Sequence, residues 1–124
     1  MKYLFDSNVV IMVALGHGQA LRERVADCDE GDIVVSAVVY AEVALGSVNG
    51  KPPALDELST FLSEVPVLPF DAAAAEVYAR LPFRRGSFDR LIAAHALALD
   101  LVLVTDNVAD YADVPGLKVE NWVR

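Results

Sequence analysis

Cysteine is all but absent from this chain. Cys28 stands alone, so no internal disulfide can form and no thiolate metal cluster can be built. Histidine is nearly as scarce. His17 sits between two glycines and reads as loop decoration, and His95 falls on the apolar face of a helical segment and reads as a packed side chain. Neither is placed to make a zinc site. Positive charge is also short: 10 Lys and Arg stand against 18 Asp and Glu, a net charge of −8. Proteins that grip nucleic acid mainly by charge are basic, which excludes a passive nucleic-acid clamp. No apolar run reaches the length of a membrane span, and the apolar stretch before Asp6 is too short for a signal peptide. The expectation is a cytoplasmic protein without a membrane segment, folded as a single domain over residues 1–124.

What the chain has in quantity is apolar surface, 55% of residues, arranged in short runs that end in acids. Tyr3-Leu4-Phe5 stops at Asp6, and Leu101-Val102-Leu103-Val104 stops at Thr105-Asp106-Asn107. Both read as buried strands. In an open parallel α/β sheet, ligands bind beyond the carboxyl ends of the strands. Two strands that each end in Asp would aim two carboxylates at one crevice.

The elements between them follow from periodicity and caps. Helices are predicted over Val9–Leu15, Gln19–Cys28, Ala37–Leu45, Ala54–Val65, Ala72–Leu81 and Phe88–Leu99, with Ser36, Asp71 and Ser87 as N-caps and Gly46 as the stop of the third. Ile33–Val35 is a strand by β-branched content, and Val67 and Leu68 form an edge strand between prolines. A helical turn at Val108–Tyr111 precedes a last strand, Leu117–Val119. Alternating strands and helices imply βαβ units and a mostly parallel sheet of about five strands.

Four acids share a pattern: Asp6 after the first strand, Glu42 in the third helix, Asp89 at a helix start and Asp106 after the fourth strand. Nearly every other position of Ala37–Leu45 is aliphatic, so that helix is expected to be buried. A buried Glu42 would need a partner. Carboxylates brought together repel unless a cation neutralises them, and Mg²⁺ and Mn²⁺ prefer carboxylate and water oxygens. The acids therefore suggest a hydrated Mg²⁺ or Mn²⁺ site, and with it phosphate chemistry.

The motifs FDSNVVI (5–11), SAVVYAEVALG (36–46), FDRLIAAHALALDLVLVTDN (88–107) and VPGLKVENW (114–122) give the chain its resemblance. It resembles a PIN-domain ribonuclease of the VapC-like kind found in bacterial type II toxin–antitoxin pairs. The resemblance runs over essentially the whole chain and rests on the order and spacing of the motifs, since none is specific alone. It implies an α/β PIN-like fold with helices on both faces of the sheet. It implies a Mg²⁺- or Mn²⁺-dependent endoribonuclease, a toxin hydrolysing RNA phosphodiester bonds. The family's catalytic and metal-binding acids map onto Asp6, Glu42, Asp89 and Asp106. Ser7 or Asn8 would steady Asp6, and Asn107 and Asp110 would lie in an outer shell. The expected partners are an RNA substrate, a cognate antitoxin laid across the acidic pocket, and a second copy of the chain, with the 37–45 and 54–62 helices as available surface.

The net negative charge leaves RNA binding to be explained. Arg80, Arg84, Arg85 and Arg90 cluster near Asp89 and are the candidates to guide phosphates. Two other readings compete. A catalytically inactive PIN-like module acting only through protein–protein binding has no need of its acids. A phosphoacceptor receiver domain wants paired acids after the first strand, where this chain has Asp6-Ser7.

Overall fold

Short β-branched and aromatic runs, each closed by a polar residue, set the sheet. In the computed structural model, which describes residues 1–82 and 86–124, these are β1 (Tyr3–Phe5), β2 (Ile33–Ser36), β3 (Val67–Leu68), β4 (Val102–Val104) and β5 (Val119–Glu120). They form one sheet in the order β3-β2-β1-β4-β5, and every neighbouring pair is parallel. All residues of β2 are buried. Successive side chains of a strand point to opposite faces, so both faces of the sheet are covered, as parallel strands require.

Helices α1 (Ser7–Ala14), α2 (Gln19–Ala26), α3 (Ala37–Val48), α4 (Leu55–Leu62), α5 (Ala72–Arg80) and α6 (Phe88–Ala98) connect the strands, with a 3₁₀ turn at Val108–Tyr111. This is the α/β architecture expected. The predicted caps hold: Ser36 accepts from the Val38 N–H, Asp71 from Ala74 and Ser87 from Arg90. No helix among the described residues is long and apolar enough to cross a membrane.

Two expectations for α3 fail. It does not stop at Gly46 but runs to Val48, because Gly50 supplies the left-handed turn (φ 85°) that ends it. Lys51 N–H bonds the Gly46 carbonyl and Gly50 N–H the Ser47 carbonyl, the two bonds of a Schellman close. Nor is α3 buried all round. Only Val39 and Val43 are buried, while Tyr40, Leu45 and Val48 are exposed. An aliphatic sequence without polar punctuation gave no sign of which side would face water. The last strand also lies further along than expected, at Val119–Glu120, where it pairs with Leu103 and Val104.

The core centres on β1 and β4, where Leu4, Phe5, Leu103 and Val104 are fully buried, with Ile92, Ala93 and Ala96 of α6 packed against the same cluster. Each large apolar side chain removed from water in this way contributes about 1.5–3 kcal/mol. Trp122 closes the far end, edge-on to Tyr3 and Phe5, with the Arg24 guanidinium 4.4 Å from its ring centre.

Candidate active site

The register of β1 against β4 builds the first half of the site. Phe5 pairs with Val104, and the Asp6 N–H continues the ladder to the Val104 carbonyl at 3.0 Å. The next residues along both strands, Asp6 on one side and Thr105-Asp106 on the other, therefore leave the sheet together. The chain leaves β1 toward β2 on one side, while β4 lies on the other. Asp6 thus stands at the point where the strand order reverses, the usual ligand crevice of such sheets.

Asp6 does two jobs. It ends β1, and its Oδ1 accepts from the Val9 N–H at 3.1 Å, capping α1. This is why α1 begins at Ser7 and not at Val9. Asp6 is only 7% exposed. Burial pushes its pKa up to about 6, with the Asp106 and Asp89 charges adding to the rise and hydrogen bonds from Thr105 and Val9 opposing it. Thr105 is itself buried, and its hydroxyl oxygen also accepts from the Asn107 N–H at 3.0 Å. Asp106 has a buried oxygen, Oδ1, with no hydrogen-bond partner among the described residues.

The second half comes from helices. Glu42 is half-buried on α3, and its Oε1 accepts from the Ser7 hydroxyl at 2.9 Å. Burial raises its pKa, the Ser7 bond lowers it and the Asp89 charge raises it again. The partner that Glu42 needed is therefore Ser7. Ser7 does not steady Asp6 as expected, because Asp6 is already held by the helix it caps. Asp89, in the first turn of α6, accepts from the Tyr111 hydroxyl at 3.3 Å. The phenol of Tyr111 is held above its usual range by burial first, then by the charges of Asp6, Asp89 and Glu42. Tyr111 thus lies within the field of three acids, and the fourth, Asp106, acts on Asp6.

The remaining expected residues divide. Asn8 is exposed on α1. Asn107 donates from Nδ2 to Asp110 Oδ2 at 2.8 Å, so these two are partners of each other. Arg80 is exposed and paired with Glu76 one helical turn away. Arg90 forks onto Asp113, so its charge is already shared with a carboxylate. Arg84 and Arg85 lie outside the described residues. Sequence reasoning missed Thr105 and Tyr111 as members of the site. Thr105 had a usable signal, its place at the end of β4 opposite Asp6. Tyr111 had none, since an aromatic in a short turn reads as packing.

Every donor of the cluster is oxygen, which suits a hard cation and not zinc. Among the described residues, no three acid, histidine or cysteine side chains close on a single point as a finished cage. Mg²⁺ does not need one: it keeps several waters and binds through one or two carboxylates. The unpaired Asp106 Oδ1, and the burial and neighbouring acid charges that raise Asp6 and Glu42, fit a hydrated divalent ion.

Comparison with known proteins is consistent with this geometry. The PIN domain family matches residues 3–116. The chain is 31% identical to the tRNA(fMet)-specific endonuclease VapC of Shigella flexneri, over 98% of each chain. It is 28% identical to Ribonuclease VapC2 of Rickettsia felis, again over 98% of each. Among solved structures, it superposes on a chain of VapBC2 from Rickettsia felis bound to a promoter DNA fragment with a TM-score of 0.87, at 27% identity, covering 98% of this chain and 99% of that one. VapBC-1 from nontypeable Haemophilus influenzae gives 0.82 at 25% identity, with both chains fully covered.

Proposed function

The chain belongs to the PIN-domain family, and from that membership and its acidic cleft we infer a metal-dependent endoribonuclease that hydrolyses RNA phosphodiester bonds. One observation carries the reading: acids from distant parts of the chain meet at the carboxyl ends of β1 and β4, where Asp89 acts on both Asp6 and Glu42, Asp106 acts on Asp6, and the Tyr111 hydroxyl donates to Asp89. An inactive module would have no need of acids that raise a neighbour's pKa in this way.

The residues to hold Mg²⁺ or Mn²⁺ are Asp6, Asp89, Glu42 and Asp106. When bound, the ion supplies positive charge to phosphoryl oxygens and activates water for attack. The chain's own contribution is placement. Val9 and Thr105 fix the Asp6 carboxylate, Ser7 fixes Glu42, and Tyr111 fixes Asp89. The cleft repels RNA while it is empty, so cation binding and substrate binding are coupled. A groove of about 480 Å³ runs from Ser7, Asn8 and Glu42 to Asn49 and Lys51, and offers the backbone a path with one cation on its rim.

The relatives named VapC, and the VapBC complexes of Rickettsia felis and Haemophilus influenzae, support a toxin role with a cognate antitoxin as inhibitor. An antitoxin arginine would find the acidic cleft a strong partner. The exposed Tyr40, Leu45 and Val48 of α3 and Leu55 of α4 are the apolar surface available to a second copy of the chain.

The test is incubation of purified protein with a mixed RNA pool in Mg²⁺, in Mn²⁺ and in chelator. Cleavage in both metals and none in chelator is expected. Asp6→Ala and Asp89→Ala should each abolish cleavage in a folded protein, and full activity in either removes that residue from the site.

A further inference from the structure

The turn that carries Tyr111 is tied twice to a single turn of α6. On the outer side, Arg90 forks onto Asp113, Nη1 to Oδ1 at 2.6 Å and Nη2 to Oδ2 at 2.7 Å. Nη1 also reaches the Asp110 carbonyl at 3.4 Å. A two-pronged guanidinium–carboxylate pair fixes orientation as well as distance, and the Arg90 side chain is only 20% exposed. On the inner side, the neighbouring residue Asp89 receives the Tyr111 hydroxyl. Adjacent residues of α6 therefore hold the 110–113 stretch from both sides.

Tyr111 is more than filling. The residue is 3% exposed and belongs to the core cluster, which leaves the phenol little freedom. Its hydroxyl ends on Asp89 Oδ1. A carboxylate that binds a cation is aimed by the donor on its other oxygen, and such supporting donors commonly affect metal affinity by 10–100-fold. Among the described residues, the Tyr111 hydroxyl is the hydrogen-bond donor that the Asp89 carboxylate has.

We propose that Tyr111 is a positioning residue that aims Asp89 into the shared cleft, and that the Arg90–Asp113 pair is the clamp that keeps it there. The inference rests on the metal-dependent reading of the cleft, and assigns Arg90 a role in place of direct phosphate guidance.

The experiment is titration of the metal-free protein with Mn²⁺ by calorimetry, with thermal unfolding followed in parallel. Asp89→Asn is the control and should lose Mn²⁺ binding. Tyr111→Phe removes one hydroxyl and keeps the ring, and should bind Mn²⁺ about tenfold more weakly while staying folded, with a melting point lowered by only a few degrees. Asp113→Asn loosens the clamp without touching an acid of the cleft. It should weaken binding severalfold in the parent and add nothing in the Tyr111→Phe background, since both act through one contact. Parental Mn²⁺ affinity in Tyr111→Phe, with Asp89→Asn still losing it, overturns the role of Tyr111 and leaves the metal reading standing. Parental affinity in Asp89→Asn removes the metal reading beneath it. Additive losses in the double variant overturn the clamp.

Discussion

His95 Nδ1 and Ser36 Oγ lie 2.8 Å apart in the interior, where both side chains are almost fully buried. Ser36 ends β2 and caps α3, the helix of Glu42. His95 belongs to α6, the helix of Asp89. One hydrogen bond therefore links the two helices that bring acids to the cleft. The Phe70 ring packs edge-on against the imidazole, and burial holds the His95 pKa down, against the pull of Asp71. Ser36→Ala should remove both the α3 cap, worth about 1 kcal/mol, and the partner of a buried ring nitrogen, worth about 1 kcal/mol more. A loss of about 2 kcal/mol is expected in denaturant unfolding, with most of it restored in Ser36→Thr. Equal losses in the two variants would leave the hydroxyl without the role given it.

Ser7 and Glu42 make a lighter contact, and its loss should be felt in function before stability. Their bond is only partly buried, so Ser7→Ala should cost about 1 kcal/mol or less. The carboxylate would lose its fixed orientation, and cleavage of an RNA substrate should fall about tenfold by analogy with other supporting donors. Turnover equal to the parent would mean that Glu42 needs no steadying.

How far the sequence was legible depended on whether a residue's neighbour lay nearby in the chain. Asp71, Ser87 and Ser36 bond to backbone within three residues, and each was read correctly as a cap. Asp6 was legible as a strand-end acid because the apolar run stops there, and its convergence with Asp106 follows from parallel pairing. The Ser7–Glu42, Tyr111–Asp89 and Arg90–Asp113 contacts span long stretches of chain. No local pattern encodes which hydroxyl meets which carboxylate, so neither the Ser7–Glu42 bond nor the Arg90–Asp113 pair is legible in the sequence. For α3 the difficulty was different. Its aliphatic run reads the same on every side, and only packing on the sheet decides that Val39 and Val43 are inside and Leu45 and Val48 outside.

Lys51 is the cation on the rim of the groove that passes Glu42 and Asn49. Arg80 is engaged with Glu76 and Arg90 with Asp113, which makes Lys51 the better placed of the three to meet a phosphate. Lys51→Ala should raise the KM for RNA severalfold and leave kcat nearly unchanged. In the inactive Asp89→Ala background, the same change should flatten the log–log salt dependence of RNA binding by about 0.7, the contribution of one single-strand phosphate contact. An unchanged salt slope would exclude Lys51 from the RNA path.

Asp6 makes a prediction about pH whose sign is opposite to that of most carboxylates. Its pKa is pushed from 3.8 unfolded to about 6 in the fold. The unfolded chain therefore binds fewer protons between those values, and metal-free stability must fall as pH rises through them. A rise of about 2 units corresponds to about 3 kcal/mol at 1.36 kcal/mol per unit, and the near-complete burial of Asp6 leaves little solvent screening to reduce it. Below about pH 4 the penalty is absent, and above about pH 6 it is fully present. Asp6→Asn keeps a side chain able to cap α1 but cannot ionise, so the variant should show a flatter profile and exceed the parent in stability at pH 7 without metal. On the proposed metal-dependent reading, Mg²⁺ or Mn²⁺ would bind the ionised form, so either ion should raise the melting point of the parent more at pH 7 than at pH 5 and do little for Asp6→Asn. Unfolding profiles of the two proteins from pH 4 to pH 7, with and without Mn²⁺, read all of this at once. Parallel profiles would show that Asp6 carries its charge without cost, and that the cleft does not need a cation to relieve it.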